Sequence, residues 1–415
     1  MIFILAWLPS IAAGWRVLLA LALLGTVSSL VFLGMVVAAA WRYRRIAHRA
    51  RTAVLSTRAD ALPPVTILKP LHGMEPRLAE NLESFFHQNY PSFEIIFGAR
   101  EASNGALQVA RQVCARFPNV KSKVVLSGPP AWPNAKVYSL NRMMDEASND
   151  FLVISDSDVQ VSPEFLRNVV APLLDPEVGL VTCPYCGVPA GDFGSTLEAL
   201  GMSVEMPSGV MVADMLEGMR FAMGAVMVTR REVLHEIGGF AALADYYSDD
   251  FVLGQKVWAE GYKVILSHHV VGHVLMPRPF FKTIGDQLRW MKSTRYSRPK
   301  GHIGSGLTFA LPFGILGFAS AAALGRPKLG LLLLAIAFLN RVLQSVVVGW
   351  GVIHDWRALA YCWLYPLRDF LGFCTWAGSF TGSSFFWRGE IYDFGREGRI
   401  TPQHRPVERP VANRV

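Results

Sequence analysis

Two kinds of hydrophobic pattern divide this chain of 415 residues. Long uncharged stretches lie towards its ends, and short apolar runs separated by helical periodicity fill the middle. Val17–Ala40 contains no Asp, Glu, Lys or Arg. At 1.5 Å per residue, a helix of that length reaches across a hydrocarbon core of about 30 Å. A cleaved signal would carry its basic residues before the apolar region and a small-residue site after it. Here Arg42, Arg44, Arg45, Arg49 and Arg51 follow instead. Residues 1–45 are therefore expected to be a transmembrane helix with a basic flank. The N-terminus then lies outside and the following chain in the cytoplasm.

The next uncharged stretch is Gly306–Gly325, and Leu329–Ile353 follows it, interrupted only by Arg341. The pair is expected to form a helical hairpin across the bilayer. A further apolar stretch, Ala358–Trp387, contains Arg368 and Asp369. Charges at bilayer depth need partners or a cavity, so this segment either spans or is re-entrant within the region 305–387. One span plus a hairpin leaves residues 388–415 in the cytoplasm as a basic tail, with Arg388, Arg396, Arg399, Arg405 and Arg409.

Residues 60–300 read as a cytoplasmic domain. Val65–Lys69, Phe93–Gly98, Lys123–Leu126, Phe151–Ser155, Gly179–Cys183, Met223–Thr229 and Lys263–Leu266 are strand-like, with helical patterns such as Leu78–Phe86 and Ala106–Phe117 between them. Near-continuous apolar strands alternating with helices predict an α/β domain with a largely parallel sheet. Ligands of such sheets bind at the carboxyl ends of the strands.

Composition agrees. Apolar residues make up 52% of the chain and charged residues 17%, against the roughly 25% charge of an ordinary globular protein. This excludes a disordered chain. Five scattered cysteines exclude a disulfide scaffold. The net charge of +8 gathers beside the apolar stretches, which favours an anionic membrane surface over nucleic acid.

Three constellations carry candidate chemistry. Phe151–Ser155 runs directly into Asp156-Ser-Asp158. Two carboxylates so close at the end of a buried strand repel. A hard cation, Mg²⁺ or Mn²⁺, shared with a substrate phosphate relieves this, although Asp-Ser-Asp is also good turn chemistry. Asp249-Asp250 opens the amphipathic stretch to Ala259, where acids complement a helix dipole or serve as a general base. In Asp286-Gln-Leu-Arg-Trp290, Arg289 suits a phosphate and Trp290 a sugar or lipid face. The same stretch also fits a basic helix lying on headgroups. Met202, Met206, Met211 and Met215 suit either a lipid wall or ordinary core. Cys183-x-x-Cys186 has no second pair for zinc and reads as structural. His268, His269 and His273 are not read as a metal site.

Together these motifs resemble the membrane glycosyltransferases of GT-A fold, and within them the ceramide glucosyltransferase family, including its bacterial and hopanoid-associated members. The matching text is "PPVTILKPLHGMEPRLAENLESFFHQNYPSFEIIFG", "PNAKVYSLN", "ISDSDVQVSPEFL", "VGLVTCPYCGVPA", "GGFAALADYYSDDFVLGQKVWAEGYKV" and "RWMKSTRYSRPKG", then "FWRGEIYDFGREGRI" near the end.

The resemblance implies a Rossmann-like nucleotide-diphospho-sugar transferase domain between N- and C-terminal transmembrane helices. It implies Glu101 at the nucleotide, in place of the more usual Asp, and Asn134 and Lys136 as the N-x-K motif near it. Asp156 and Asp158 become the metal and diphosphate site, Asp250 the catalytic base and Asp249 its neighbouring acid. Arg289 and Trp290 match the R-W of (Q/R)-x-x-R-W, whose first position here is Asp286. The implied reaction is inverting transfer from a UDP-sugar to a lipid hydroxyl at the cytoplasmic face of a bacterial membrane. Ceramide is the first expected acceptor, and a hopanoid polyol receiving N-acetylglucosamine the second. A polysaccharide synthase would need more spans and an intact Q-x-x-R-W. A non-catalytic scaffold would not need the intact acids.

Overall fold

The computed structural model describes residues 2–403. Its centre is a seven-stranded sheet in the order β3-β2-β1-β4-β8-β6-β9. The strands are β1 (Val65–Pro70), β2 (Phe93–Ala99), β3 (Lys121–Leu126), β4 (Phe151–Ser155), β6 (Val178–Thr182), β8 (Val226–Arg230) and β9 (Lys263–Leu266). All the strand-like runs of the sequence are present. The interior strands are buried throughout because helices cover both faces, as their unbroken Val/Ile/Leu content requires.

The sheet is more mixed than a largely parallel one. β8 runs antiparallel to both β4 and β6, while the β1–β2, β2–β3, β1–β4 and β6–β9 pairs are parallel. This reversal puts the start of β8 beside the end of β4, where the Asp156 amide donates to the Ala225 carbonyl at 3.3 Å. A second sheet joins β5 (Val159–Gln160), β10 (Val271–Val274) and β7 (Tyr185–Val188), with β10 in the middle.

Residues 388–403 are not a tail. β11 (Ser384–Trp387), β12 (Glu390–Phe394) and β13 (Ile400–Pro402) form a third sheet. It is tied to the domain by the Ile400 amide on the Asp245 carbonyl (2.7 Å) and by stacking of Phe394 on Tyr296 (5.3 Å). Arg405 and Arg409 lie outside the described residues.

The N-terminal helix is continuous from Ile2 to Ser56. Its basic flank docks on the domain, where Arg42 pairs with Asp214 and the Tyr43 hydroxyl donates to the Ser267 carbonyl. Among the described residues two helices, Ile11–Ser56 and Pro327–Trp350, are long and apolar enough to cross a membrane. The other arm of the expected hairpin, Leu311–Ala323, has 13 residues. That is about 20 Å, short of a bilayer core.

The apolar stretch from Ala358 is broken into Trp356–Ala360, Tyr365–Gly378 and strand β11, and its charges are paired. Asp369 lies 3.5 Å from Arg341, and its Oδ2 accepts the amides of Ala310 and Leu311 at the start of the Leu311–Ala323 helix. A carboxylate there meets the positive end of the helix dipole. Arg368 lies 3.0 Å from Glu205.

Removing one partner of a buried pair leaves a bare charge. Asp369→Ala is therefore expected to cost about 3–5 kcal/mol, read as a lower thermal midpoint in detergent. Glu177→Gln breaks the exposed pair with Lys263 and should leave the midpoint in place. Equal losses would contradict the burial argument.

Candidate active site

The helix Ala135–Met144 begins at Asn134, whose Oδ1 accepts the amides of Lys136 (3.0 Å) and Val137 (3.2 Å) as an N-cap. Its Nδ2 donates to the Tyr246 carbonyl at 2.8 Å and approaches Asp249 Oδ1 at 3.5 Å. One side chain thus ties a helix start to the segment bearing the second acidic pair. Lys136 bridges the two acidic motifs, its Nζ 2.8 Å from Asp156 Oδ1 and 3.6 Å from Asp249 Oδ2. Burial works against its charge, but Asp156 and then Asp249 outweigh that and hold its pKa above the ordinary lysine value.

Asp156 and Asp158 leave β4 at its carboxyl end. Burial pushes the Asp158 carboxyl above the usual range, with His273 opposing and Asp156 adding to the rise. Asp158 Oδ1 is buried without a hydrogen-bond partner. An orphaned hard oxygen beside a second carboxylate fits Mg²⁺ or Mn²⁺. Among the described residues no group of three or more His, Cys, Asp and Glu forms a ready-made chelate. The two carboxylates would supply only part of a coordination sphere, which a diphosphate and water would have to complete.

Asp249 and Asp250 open the helix Asp249–Ala259, as the amphipathic pattern required. Asp249 is committed to Asn134 and Lys136. Asp250 is freer. Its Oδ1 accepts only the neighbouring Phe251 amide, and its Oδ2 lies over Gly224, where a Cβ would approach to 3.0 Å. Burial, then the charge of Asp249, raises the Asp250 pKa to about 6.

The R-W motif lies on the helix Phe280–Ser297. Asp286 holds Arg289 at 3.0 Å on one oxygen and Arg278 on the other, so the residue standing where Gln or Arg is expected clamps two guanidiniums. Arg289 also lies over the Tyr247 ring at 5.7 Å. Trp290 is 40% exposed. Glu101 follows β2 on the same edge of the sheet and is exposed, with Ser103 as its hydrogen-bond partner. The structure thus gathers Asn134, Lys136, Asp156, Asp158, Asp249 and Asp250. Arg289 joins them through Tyr247, and Glu101 and Trp290 stand apart.

Several neighbours escaped the sequence reading. Lys69, fully buried, donates to the Asp156 carbonyl and lies over the Phe85 ring at 3.7 Å. Burial lowers its pKa to about 7. A lysine near the end of the mostly apolar β1 was a visible signal. Glu75 joins Asp158, its pKa raised to about 7 chiefly by burial. His273, set aside as a metal ligand, sits 3.5 Å from Asp158 because its strand β10 pairs His273 with Val159. His268 and His269 bind Asn168 instead, as structural residues do.

Residues 22–400 match the family model of glycosyl transferase family 21. The chain belongs to that family. The motif resemblance to ceramide glucosyltransferases is borne out by its relatives. It is 27% identical over 236 residues to ceramide glucosyltransferase 1 of Caenorhabditis elegans, covering 56% of this chain and 50% of that one. With the ceramide glucosyltransferase of Candida albicans identity is 31% over 121 residues, 26% of this chain and 22% of the other. The chain thus spans half or less of the length of these curated relatives. A solved mannosyltransferase of Pyrobaculum calidifontis, in complex with GDP-Man and Mn²⁺, is 18% identical with a TM-score of 0.49, covering 85% of this family 21 chain and 99% of its own.

Asn134→Ala removes both a cap and the tie to Asp249. A stability loss of about 1 kcal/mol is expected from the cap alone, read as a lower melting midpoint. An unchanged midpoint would show that the amide does not hold the site together.

Proposed function

We propose that this protein transfers a sugar from a UDP-sugar to the hydroxyl of a membrane lipid with inversion, and that the reaction is UDP-glucose with ceramide. The observation that carries the reading is the convergence of Asp156, Asp158, Asp249 and Asp250 on Lys136 at the carboxyl edge of the sheet. The ceramide glucosyltransferases among its relatives supply the acceptor class.

Asp156 and Asp158 would hold a divalent cation, Mg²⁺ or Mn²⁺, which when bound would supply positive charge to offset that on the departing diphosphate. Glu101, with Asn134 and Lys136, borders the nucleotide. Asp250 Oδ2 accepts the proton of the acceptor hydroxyl. That oxygen bonds to the anomeric carbon from the face opposite UDP, and the bond from the anomeric carbon to UDP breaks, the electron pair leaving on the phosphate oxygen. With a pKa of about 6, Asp250 is mostly ionised near neutrality and able to act as base. Asp249 holds Lys136 and Asn134 in place. Arg289, steadied by Asp286, faces the substrate, and the exposed Trp290 borders the lipid.

The basic flank after the first long helix favours a catalytic domain in the cytoplasm, where UDP-sugars are made. The packing of the C-terminal sheet on that domain supports a multi-pass protein of a bacterial cytoplasmic membrane, with both ends of the segment after residue 305 on the same side.

Purified protein is incubated with UDP-glucose or UDP-N-acetylglucosamine and with ceramide or a hopanoid polyol, and products are read by mass spectrometry. Glucosylceramide is the expected product. A glycosylated hopanoid would move the acceptor to the second choice, and no lipid product with any pair would refute the function. In the active pair, Asp250→Asn should lower kcat by about 10²- to 10⁴-fold, with Asp249→Asn costing less. Because the base works ionised and its pKa is raised, kcat/KM should fall as pH drops through about 6, and that acid limb should vanish in Asp250→Asn. A dead Asp249→Asn beside an active Asp250→Asn would exchange the two roles.

A further inference from the structure

A nucleoside diphosphate adds negative charge to a site already lined by Asp156, Asp158, Asp249, Asp250 and Glu75. The cations already described there are committed. Lys136 serves Asp156 and Asp249, Lys69 the Asp156 carbonyl, and Arg278 and Arg289 share Asp286. Arg388 differs. It is exposed, and among the described residues its guanidinium makes no ion pair. It lies over the indole of Trp387 at 5.0 Å, within electrostatic reach of Asp156 and Asp249.

Its position is built. Trp387 pairs with Glu390 across β11 and β12, which leaves Arg388-Gly389 as a two-residue hairpin turn. Both residues have positive φ, 51° and 91°, as a type I′ turn demands, and the first place of such a turn favours Asn, Asp or Gly. The chain instead spends that place on an arginine, a left-handed conformation of the kind that clusters at functional sites. The hairpin is anchored to the acid-bearing segment. Tyr247, two residues before Asp249, packs its ring against Trp387 (5.1 Å), Phe385 (5.3 Å) and Phe394 (5.5 Å). The Tyr247 amide donates to the Gly398 carbonyl.

We propose that Arg388 binds the diphosphate of the nucleotide-sugar donor from the hairpin tip, across from Asp156. The proposal rests on the donor assignment made above. The planar guanidinium suits bidentate contact with phosphate oxygens.

Arg388→Asn separates this role from a structural one, because Asn suits the turn at least as well as Arg. Binding of UDP and of uridine to the purified protein is measured by calorimetry in Mn²⁺, alongside the thermal midpoint. The expected result is an unchanged midpoint, unchanged uridine binding and a UDP Kd raised about 10- to 100-fold. Arg388→Lys should recover part of that loss. Wild-type affinity for UDP in Arg388→Asn overturns the proposal and leaves the donor assignment standing, as does an equal loss for UDP and uridine. A wild-type protein that binds no UDP overturns both.

Discussion

Crowding of like charge at one edge of the sheet is the constraint on which the rest depends. Carboxylates from two distant motifs are drawn together, and Lys136 is the cation that touches both. Every neighbouring element serves to hold that arrangement. Asn134 aims the helix that carries Lys136, Ala225 just before antiparallel β8 supplies the carbonyl that accepts the Asp156 amide, and Gly224 leaves room for Asp250. The strain shows in raised carboxyl pKa values at Asp158, Glu75 and Asp250, which burial and mutual repulsion produce together. A site poised in this way gains from any ligand that brings positive charge.

The apolar helices are joined to this site through charge. Glu205 and Arg368 face each other where the helix Phe193–Leu200 passes through a π-helical turn, Gly201–Glu205, into Met206–Glu217. Glu198, seven residues earlier, lies within electrostatic reach of Arg368 and of His273, which itself faces Asp158. Polar side chains therefore run from the acid cluster to the base of the long apolar helices. The charges that looked misplaced in an apolar stretch are the joint between two environments.

Much of this was legible beforehand. β1, β2, β4, β6 and β9 announce themselves as buried apolar runs, and Asp156 and Asp158 stand out because they end one. The direction of β8 was not legible, since a strand buried on both faces reads the same either way. The C-terminal sheet was hidden because Phe385, Phe386 and Trp387 continue an apolar stretch and read as its end. Arg388 consequently passed for a tail charge. The closeness of His273 to Asp158 was not legible, because it depends on the register of β10 against Val159, which no local pattern encodes. Lys69 was legible and overlooked.

The most direct test of the charge argument is calorimetric titration of UDP into the wild type and Asp158→Ala, each with Mn²⁺ and with EDTA. The account predicts binding by the wild type in Mn²⁺, and its loss both in EDTA and in the variant. Equal affinity in all four titrations would contradict it, because the carboxylate cluster would then have no part in holding the diphosphate.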